Sequence, residues 1–184
     1  MRVIVHFMVL AAAALGVACS DDDKGSPFSS QGTAQRPATG GSSVDTWLQS
    51  GAYKSWHCER AVHEARAPSP HGYNRICSND AISANATGTA DWPEGAAAVK
   101  ELYDSATSTT PSGYAVYLKT NADGAGGANW YWYERLPGGR IAADGLGSSG
   151  SAKDVCVGCH VAAGADAAHT PSPGGRDQVY TPVP

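Results

Sequence analysis

Hydrophobic and aromatic residues concentrate in four short segments of the chain bounded by turn-forming residues, and this pattern predicts β-strands. The segments are residues 73–78, 96–103, 113–120 and 129–136. The glycine-rich stretch 121–129 separates the last two and predicts a hairpin turn. Together they predict a small antiparallel sheet.

A helix is predicted before the first strand. Within residues 44–58, Trp47, Leu48 and Trp56 recur at spacings that fit a helix. Gly51 is expected to interrupt or kink it. The fold class that follows is α+β, a mostly antiparallel sheet with packed helices.

The N-terminal segment has the pattern of an export signal. Arg2 precedes an apolar run that ends at Ala18, too short for a bilayer span, and Cys19 follows small residues as in a bacterial lipoprotein. The alternative is an ordinary secretory signal cut nearby. Both interpretations place the domain outside the cytoplasm, in the periplasm or cell envelope.

The chain therefore divides into three parts. Residues 1–18 are predicted to be the signal peptide, residues 19–43 a flexible polar tether, and residues 44–184 one folded domain. A lipid on Cys19 would be the only membrane attachment.

Composition narrows the class of partner. Hydrophobic residues make up 42% of the 184 residues and charged residues 16%, which argues against a disordered acidic chain or a coiled coil. The formal net charge of −4 argues against a nucleic-acid binder, which needs a basic face to neutralise phosphates.

Each of the five cysteines can be assigned a role. Cys19 would take the lipid, and a pair near the C-terminus belongs to the C-x-x-C-H motif considered below. That leaves Cys58 and Cys77, which an oxidising compartment would favour as a disulfide. The alternative is two separate buried thiols.

The sequence C-V-G-C-H near the C-terminus has the pattern of a c-type haem attachment site. Cys156 and Cys159 can form thioethers with the two haem vinyl groups, and His160 then lies under the iron as proximal ligand. Redox-active thiols and a zinc site are the alternatives. A thioredoxin-like motif expects a strand just before it, whereas residues 145–155 are predicted to be a loop.

The possible ligands on the distal side of the iron are narrowed by the residue types that the mature chain contains. The two methionines, Met1 and Met8, both lie in the signal, which excludes a His/Met electron-transfer cytochrome. Candidate sixth ligands are the lysines and His57, His63, His71 and His169. The other possibility is an open site, which binds small molecules.

Two strand faces carry unusual residues. Lys100 shares a predicted face with Ala96, Ala98 and Leu102, where an ammonium is costly unless exposed, paired or chemically consumed. The alternative is an edge strand from which Lys100 reaches water. Aromatic residues alternate along 129–136 and could wall a haem pocket or form simple core.

The order of these motifs resembles the cytochrome P-460 family over residues 44–184. The chain carries W-P-E-G-A-A-A-V-K-E-L, then Y-L-K-T with N-W-Y-W-Y, then C-V-G-C-H and D-Q-V-Y-T-P. The resemblance implies a homodimer with one covalent haem c, an open distal site and a redox partner cytochrome. In the catalytic members a lysine side chain, matched here by Lys100, is bonded to the haem edge, and hydroxylamine is oxidised, with nitric oxide chemistry giving nitrous oxide. The related cytochrome c′-beta proteins lack that bond and bind nitric oxide or carbon monoxide.

One departure concerns proton transfer. Catalytic members of the family place an acidic residue where this chain has Ala115, so Glu101 or Glu134 would have to substitute. The hypotheses at this point are an oxidoreductase acting on hydroxylamine or nitric oxide, a non-enzymatic nitric oxide binder like cytochrome c′-beta, a bis-His electron carrier and a haem-free thiol protein.

Overall fold

A computed structural model of the chain describes residues 36–66, 69–122, 126–163 and 175–184. The predicted signal peptide, Cys19 and His169 lie outside these ranges. No helix among the described residues has the length and apolar character needed to cross a bilayer.

The first element is helix α1, Gly41–Ser50. It ends where Gly51 adopts a left-handed conformation with φ 70°, which glycine reaches without a steric penalty. A 3-10 helix, Ala52–Ser55, follows. The interruption predicted at Gly51 is therefore confirmed.

A seven-stranded antiparallel sheet forms the centre of the fold. Its strands are β1 (His57–Cys58), β2 (His63–Glu64), β3 (Tyr73–Ser78), β4 (Ala97–Tyr103), β5 (Gly113–Lys119), β6 (Trp130–Arg135) and β7 (Ile141–Leu146). The spatial order is β1-β3-β4-β5-β6-β7, and β2 pairs with β3. The four predicted strands are confirmed as β3 to β6, and the mostly antiparallel α+β class is confirmed with them.

Short helices complete the described structure. Helix α2 spans Asp80–Ser83, a 3-10 helix spans Gly127–Asn129, and a π-helix, Ala152–Val157, runs directly into α3, Gly158–His160. The prediction of a loop over 145–155 is wrong: its first residues finish β7 and its last ones are helical. The C-x-x-C-H motif thus lies on a helix that follows an edge strand.

The two faces of the sheet bury different residues. Tyr131 and Tyr133 pack on the face covered by α1, whereas Trp130 and Trp132 pack on the face that holds the C-terminal helix. The tyrosines and tryptophans that alternate along β6 therefore belong to two different hydrophobic cores, one on each face of the sheet.

A disulfide joins Cys58 to Cys77. The two residues are register partners on β1 and β3, so the bond ties the short strand β1 to the sheet. This is the bridge that the cysteine count predicts.

Candidate functional site

A cavity opens on the sheet face that holds the C-terminal helix. The space open to the centre of a water-sized sphere is about 90 Å³, and the cavity widens into open solvent at its mouth. The residues that the sequence singled out and that line it are His71, Lys100, Ala115, Glu134, Cys156, Cys159 and His160. The structure thus brings Lys100 and the C-x-x-C-H motif to one cavity.

Val157 of the motif helix packs closely against the 3-10 helix Gly127–Asn129 and against Gly147, the residue after β7. A methyl group added at Gly127 would come within 2.3 Å of Val157 Cγ1, and one added at Gly147 would come within 2.1 Å of the Gly127 carbonyl oxygen. Only glycine permits this approach. These two glycines therefore allow the helix to present Cys156 and His160 to the cavity.

The His160 imidazole is held in a defined orientation. Its Nδ1 donates a hydrogen bond to the backbone carbonyl of Gln178 at 2.6 Å. Ring centroids of Trp132, Tyr180 and Tyr117 lie 4.8, 5.3 and 6.0 Å from it. Since Nδ1 carries the proton, Nε2 carries the lone pair, which is the tautomer that a metal ligand requires.

The two motif cysteines are not bonded to each other. Burial raises the pKa of the Cys156 thiol to about 12, whereas redox-active thiols owe their reactivity to a lowered pKa. Across the described ranges, no three His, Cys, Asp or Glu side chains converge as a metal-ion site. The environment of Cys156 thus favours neither thiol exchange nor ready thiolate formation.

Lys100 lies in the interior of the sheet. Its register partners are Ile76 on β3 and Ala115 on β5, so the edge-strand alternative is wrong. Its side chain is partly buried, and it has neither hydrogen-bond nor ion-pair partner within the described residues. Burial lowers the pKa of its amine to about 8, so near neutral pH a larger fraction of the amine is neutral and nucleophilic than for an ordinary lysine.

Next to Lys100, a histidine and a carboxylate form a second polar group in the cavity. His71 Nδ1 lies 3.3 Å from Glu134 Oε1, and their side chains are 14% and 7% exposed. Burial lowers the pKa of His71, although Glu134 acts in the opposite direction. Ala115 is the register partner of both Lys100 and Glu134, and its small side chain leaves space between them.

Glu101, the other candidate substitute for the missing acidic residue, points to the opposite face of the sheet. Tyr53, Tyr103 and Arg75 each donate a hydrogen bond to its carboxylate at 2.7 Å. Burial alone would raise its pKa, but these hydrogen bonds lower it. Glu101 is therefore a structural carboxylate on the α1 side, and only Glu134 lies at the cavity.

Two of the four candidate distal histidines lie away from the cavity. His57 pairs with Asp80 at 2.9 Å, and His63 pairs with Glu59 at the same distance. Among the described residues, His71 is the one candidate distal histidine that lines the cavity together with His160 of the motif.

Sequence reasoning gave no role to Asp177 and Gln178. Both lie in the turn that supplies the hydrogen-bond acceptor for His160. The stretch D-Q-V-Y-T-P belongs to the family resemblance, but nothing in its composition indicates that a backbone carbonyl contacts His160.

No family model matches the chain, and neither a curated protein nor a solved structure matches it at a significant level.

Proposed function

We propose that the chain is a mono-haem c-type cytochrome with an open distal site that oxidises hydroxylamine or processes nitric oxide, as the resemblance to cytochrome P-460 implies. One observation carries the proposal. The C-x-x-C-H motif and Lys100, which are distant along the chain, line the same cavity.

The residues present fit a covalently attached haem. The thiols of Cys156 and Cys159 would each add across a vinyl group, forming a carbon–sulfur bond with no net oxidation. His160 would bind the iron through Nε2, and the hydrogen bond from its Nδ1 to Gln178 supports that tautomer. Aromatic walls from Tyr117 and Trp132 would exclude water from one face of the macrocycle.

Lys100 is the residue proposed to bond to the haem edge. A carbon–nitrogen bond there would replace one N–H and one C–H bond and release two protons and two electrons, so it needs a two-electron oxidant of the peroxide class. The amine is suited to this because its lowered pKa makes a neutral fraction available.

When bound, the iron would supply the site that binds the nitrogenous substrate and carries its electrons to a redox partner cytochrome. Oxidation of hydroxylamine also releases protons, which this chain must accept. Glu134 and His71 lie at the cavity and 3.3 Å apart, so we assign proton acceptance to this pair. Glu101 is excluded from the role by its place on the other face.

Two other functions have a specific observation in their favour. Ala115, at the position of the family's acidic residue, favours a nitric oxide binder like cytochrome c′-beta. His71, at the cavity with Glu134 beside its Nδ1, favours a bis-His electron carrier, since ligating histidines commonly hydrogen-bond a carboxylate through the other nitrogen. Occupancy of the sixth position in the resting ferric protein distinguishes the second of these from the main proposal.

The N-terminal sequence and the family resemblance also support a location and an assembly for the protein. The protein would be exported to the periplasm or cell envelope, anchored by a lipid on Cys19, and assembled as a homodimer.

The absorption spectrum of the ferrous protein, matured by the c-type machinery, tests the function. A haem–lysine bond distorts the macrocycle, so the Soret band should lie far to the red of an ordinary c-type band. Lys100→Leu should restore the ordinary band, whereas Lys54→Leu, which changes an exposed lysine, should not. An ordinary spectrum in the unaltered protein would contradict the enzyme proposal and favour the nitric oxide binder.

A further inference from the structure

The turn that contacts His160, residues 176–179, has an unusual backbone conformation. Arg176 and Val179 exchange two backbone hydrogen bonds, each of 2.9 Å. The two residues between them, Asp177 and Gln178, have φ values of 37° and 71°. Positive φ at both central positions is typical of a type I′ turn, where glycine or asparagine is usual. Neither residue here is glycine, so contacts outside the turn must hold it in this conformation.

Arg176 supplies some of those contacts, to the carbonyls of Ala90 and Asn85, and the buried carboxylate of Asp177 supplies those nearest to Gln178. This carboxylate forms an ion pair with Lys119, and the two side chains are 1% and 0% exposed. Its Oδ1 accepts hydrogen bonds from the Gly126 N–H at 3.0 Å and from Trp130 Nε1 at 3.3 Å. A buried charge is tolerated only with such complete pairing. The carboxylate therefore fastens the turn to the end of β5 and the start of β6.

The position of the turn decides what His160 contacts. The Gln178 carbonyl accepts the His160 Nδ1 hydrogen bond at 2.6 Å, and the next residues continue to Tyr180, whose hydroxyl donates to the Cys159 carbonyl at 2.6 Å. One segment thus contacts the motif helix twice. Arg176, at the start of the turn, donates to the backbone carbonyls of Ala90 and Asn85, whereas Asp177 is the buried charged side chain next to Gln178.

We propose that Asp177, paired with Lys119, is a positioning residue that holds the Gln178 carbonyl against His160 and so fixes the His160 tautomer and orientation. This inference rests on the proposed function for its chemical consequence. A proximal histidine that donates through Nδ1 is a more basic ligand through Nε2, so the pair would tune the iron without touching it.

The tautomer is a readout that needs no haem. In protein produced without the c-type machinery, nitrogen-15 NMR of the His160 ring should show a proton on Nδ1 and none on Nε2. In Asp177→Ala, the Nε2-protonated form should become populated. If Asp177→Ala does not fold, the double variant Lys119→Met/Asp177→Ala removes both buried charges and provides the same comparison.

The holoprotein gives a second readout. Asp177→Ala should lower the iron–histidine stretching frequency of the ferrous protein and shift the midpoint potential to more positive values, while Lys119→Arg, which keeps the charge, should stay near the parent. The matched control is Glu101→Gln, which also disrupts a buried ion pair but on the opposite face, and it should move neither signal.

An unchanged His160 tautomer in Asp177→Ala and in the double variant would overturn the proposal. So would an equal shift in Glu101→Gln, which would show a general effect of lost stability. Failure of haem to attach would overturn the proposed function alone, because the tautomer is measured in haem-free protein.

Discussion

Replacing Lys100 with methionine in the haem-free protein should stabilise the fold near neutral pH, and the gain should shrink at alkaline pH. Lys100 lies between Ile76 and Ala115 in the interior of the sheet. Its ammonium has no ion-pair partner within the described residues. Methionine retains the length of the side chain while removing the charge.

The size of the effect follows from the pKa. Burial lowers the pKa of Lys100 from 10.5 to about 8, and each pH unit of difference corresponds to ~1.4 kcal/mol. The unfolded chain therefore binds more protons than the folded chain between pH 8 and 10.5, so stability rises with pH across that window. The charged amine costs the folded protein about 3 kcal/mol at pH 7 and about 1 kcal/mol at pH 10 by this linkage.

Urea unfolding at both pH values measures the difference. The free energy of unfolding of Lys100→Met minus that of the parent should fall by about 2 kcal/mol from pH 7 to pH 10. Lys54→Met, which changes an exposed lysine, controls for the loss of one positive charge and should show no such trend. A difference that does not change with pH would refute a desolvated Lys100 and remove the physical basis of its reactivity.

Three further predictions concern other parts of the molecule. Replacing Cys58 and Cys77 together with alanine should lower the free energy of unfolding, measured by chemical denaturation, by about 3 kcal/mol. The reason is that the disulfide closes a loop with a sequence separation of 19. An unchanged free energy would mean that the disulfide does not constrain the unfolded chain. Glu101→Gln should cost about 2 kcal/mol at neutral pH. Because hydrogen bonds lower the pKa of Glu101 despite its burial, its contribution is full above its ordinary value and is lost as pH falls through the lowered one, so parent and variant should converge in acid; a constant gap would contradict this. Glu134→Gln should slow hydroxylamine oxidation about a hundredfold, measured by reduction of an electron acceptor, with haem attachment retained, and equal activity would exclude Glu134 from proton transfer.

The central strands of the sheet could be predicted because each has a recognisable sequence pattern. Strands β3 to β5 are short segments rich in apolar or aromatic residues, and β6 places tryptophans on one face and tyrosines on the other. Strand β7 shows no such pattern, since I-A-A-D-G-L contains small residues and a glycine, and half of its six residues are exposed at the edge of the sheet. Edge strands bury too little to show a pattern.

The helix that carries the motif was missed for a related reason. The stretch G-S-S-G-S-A before it has turn-forming composition, which normally indicates a loop. In the fold, the helix packs through Val157 against Gly127 and Gly147, whose lack of a side chain leaves room for it. This is a tertiary contact, which local helix propensity cannot predict.

The cavity was predictable in part. The motif gave Cys156, Cys159 and His160, and the face of β4 singled out Lys100. The pairing of His71 with Glu134 and the Asp177 turn depend on register and on chain segments distant in sequence. Positive φ at Asp177 and Gln178 is not indicated by residue type, because the usual turn residues are absent there.

The most direct test of the account is the mass of the denatured protein after production with the c-type maturation machinery. Attachment through the motif predicts the mass of the mature chain plus one haem. It predicts the haem-free mass when Cys156 and Cys159 are both replaced by alanine. A haem-free mass for the unaltered chain under conditions that mature a known c-type cytochrome would contradict the central claim.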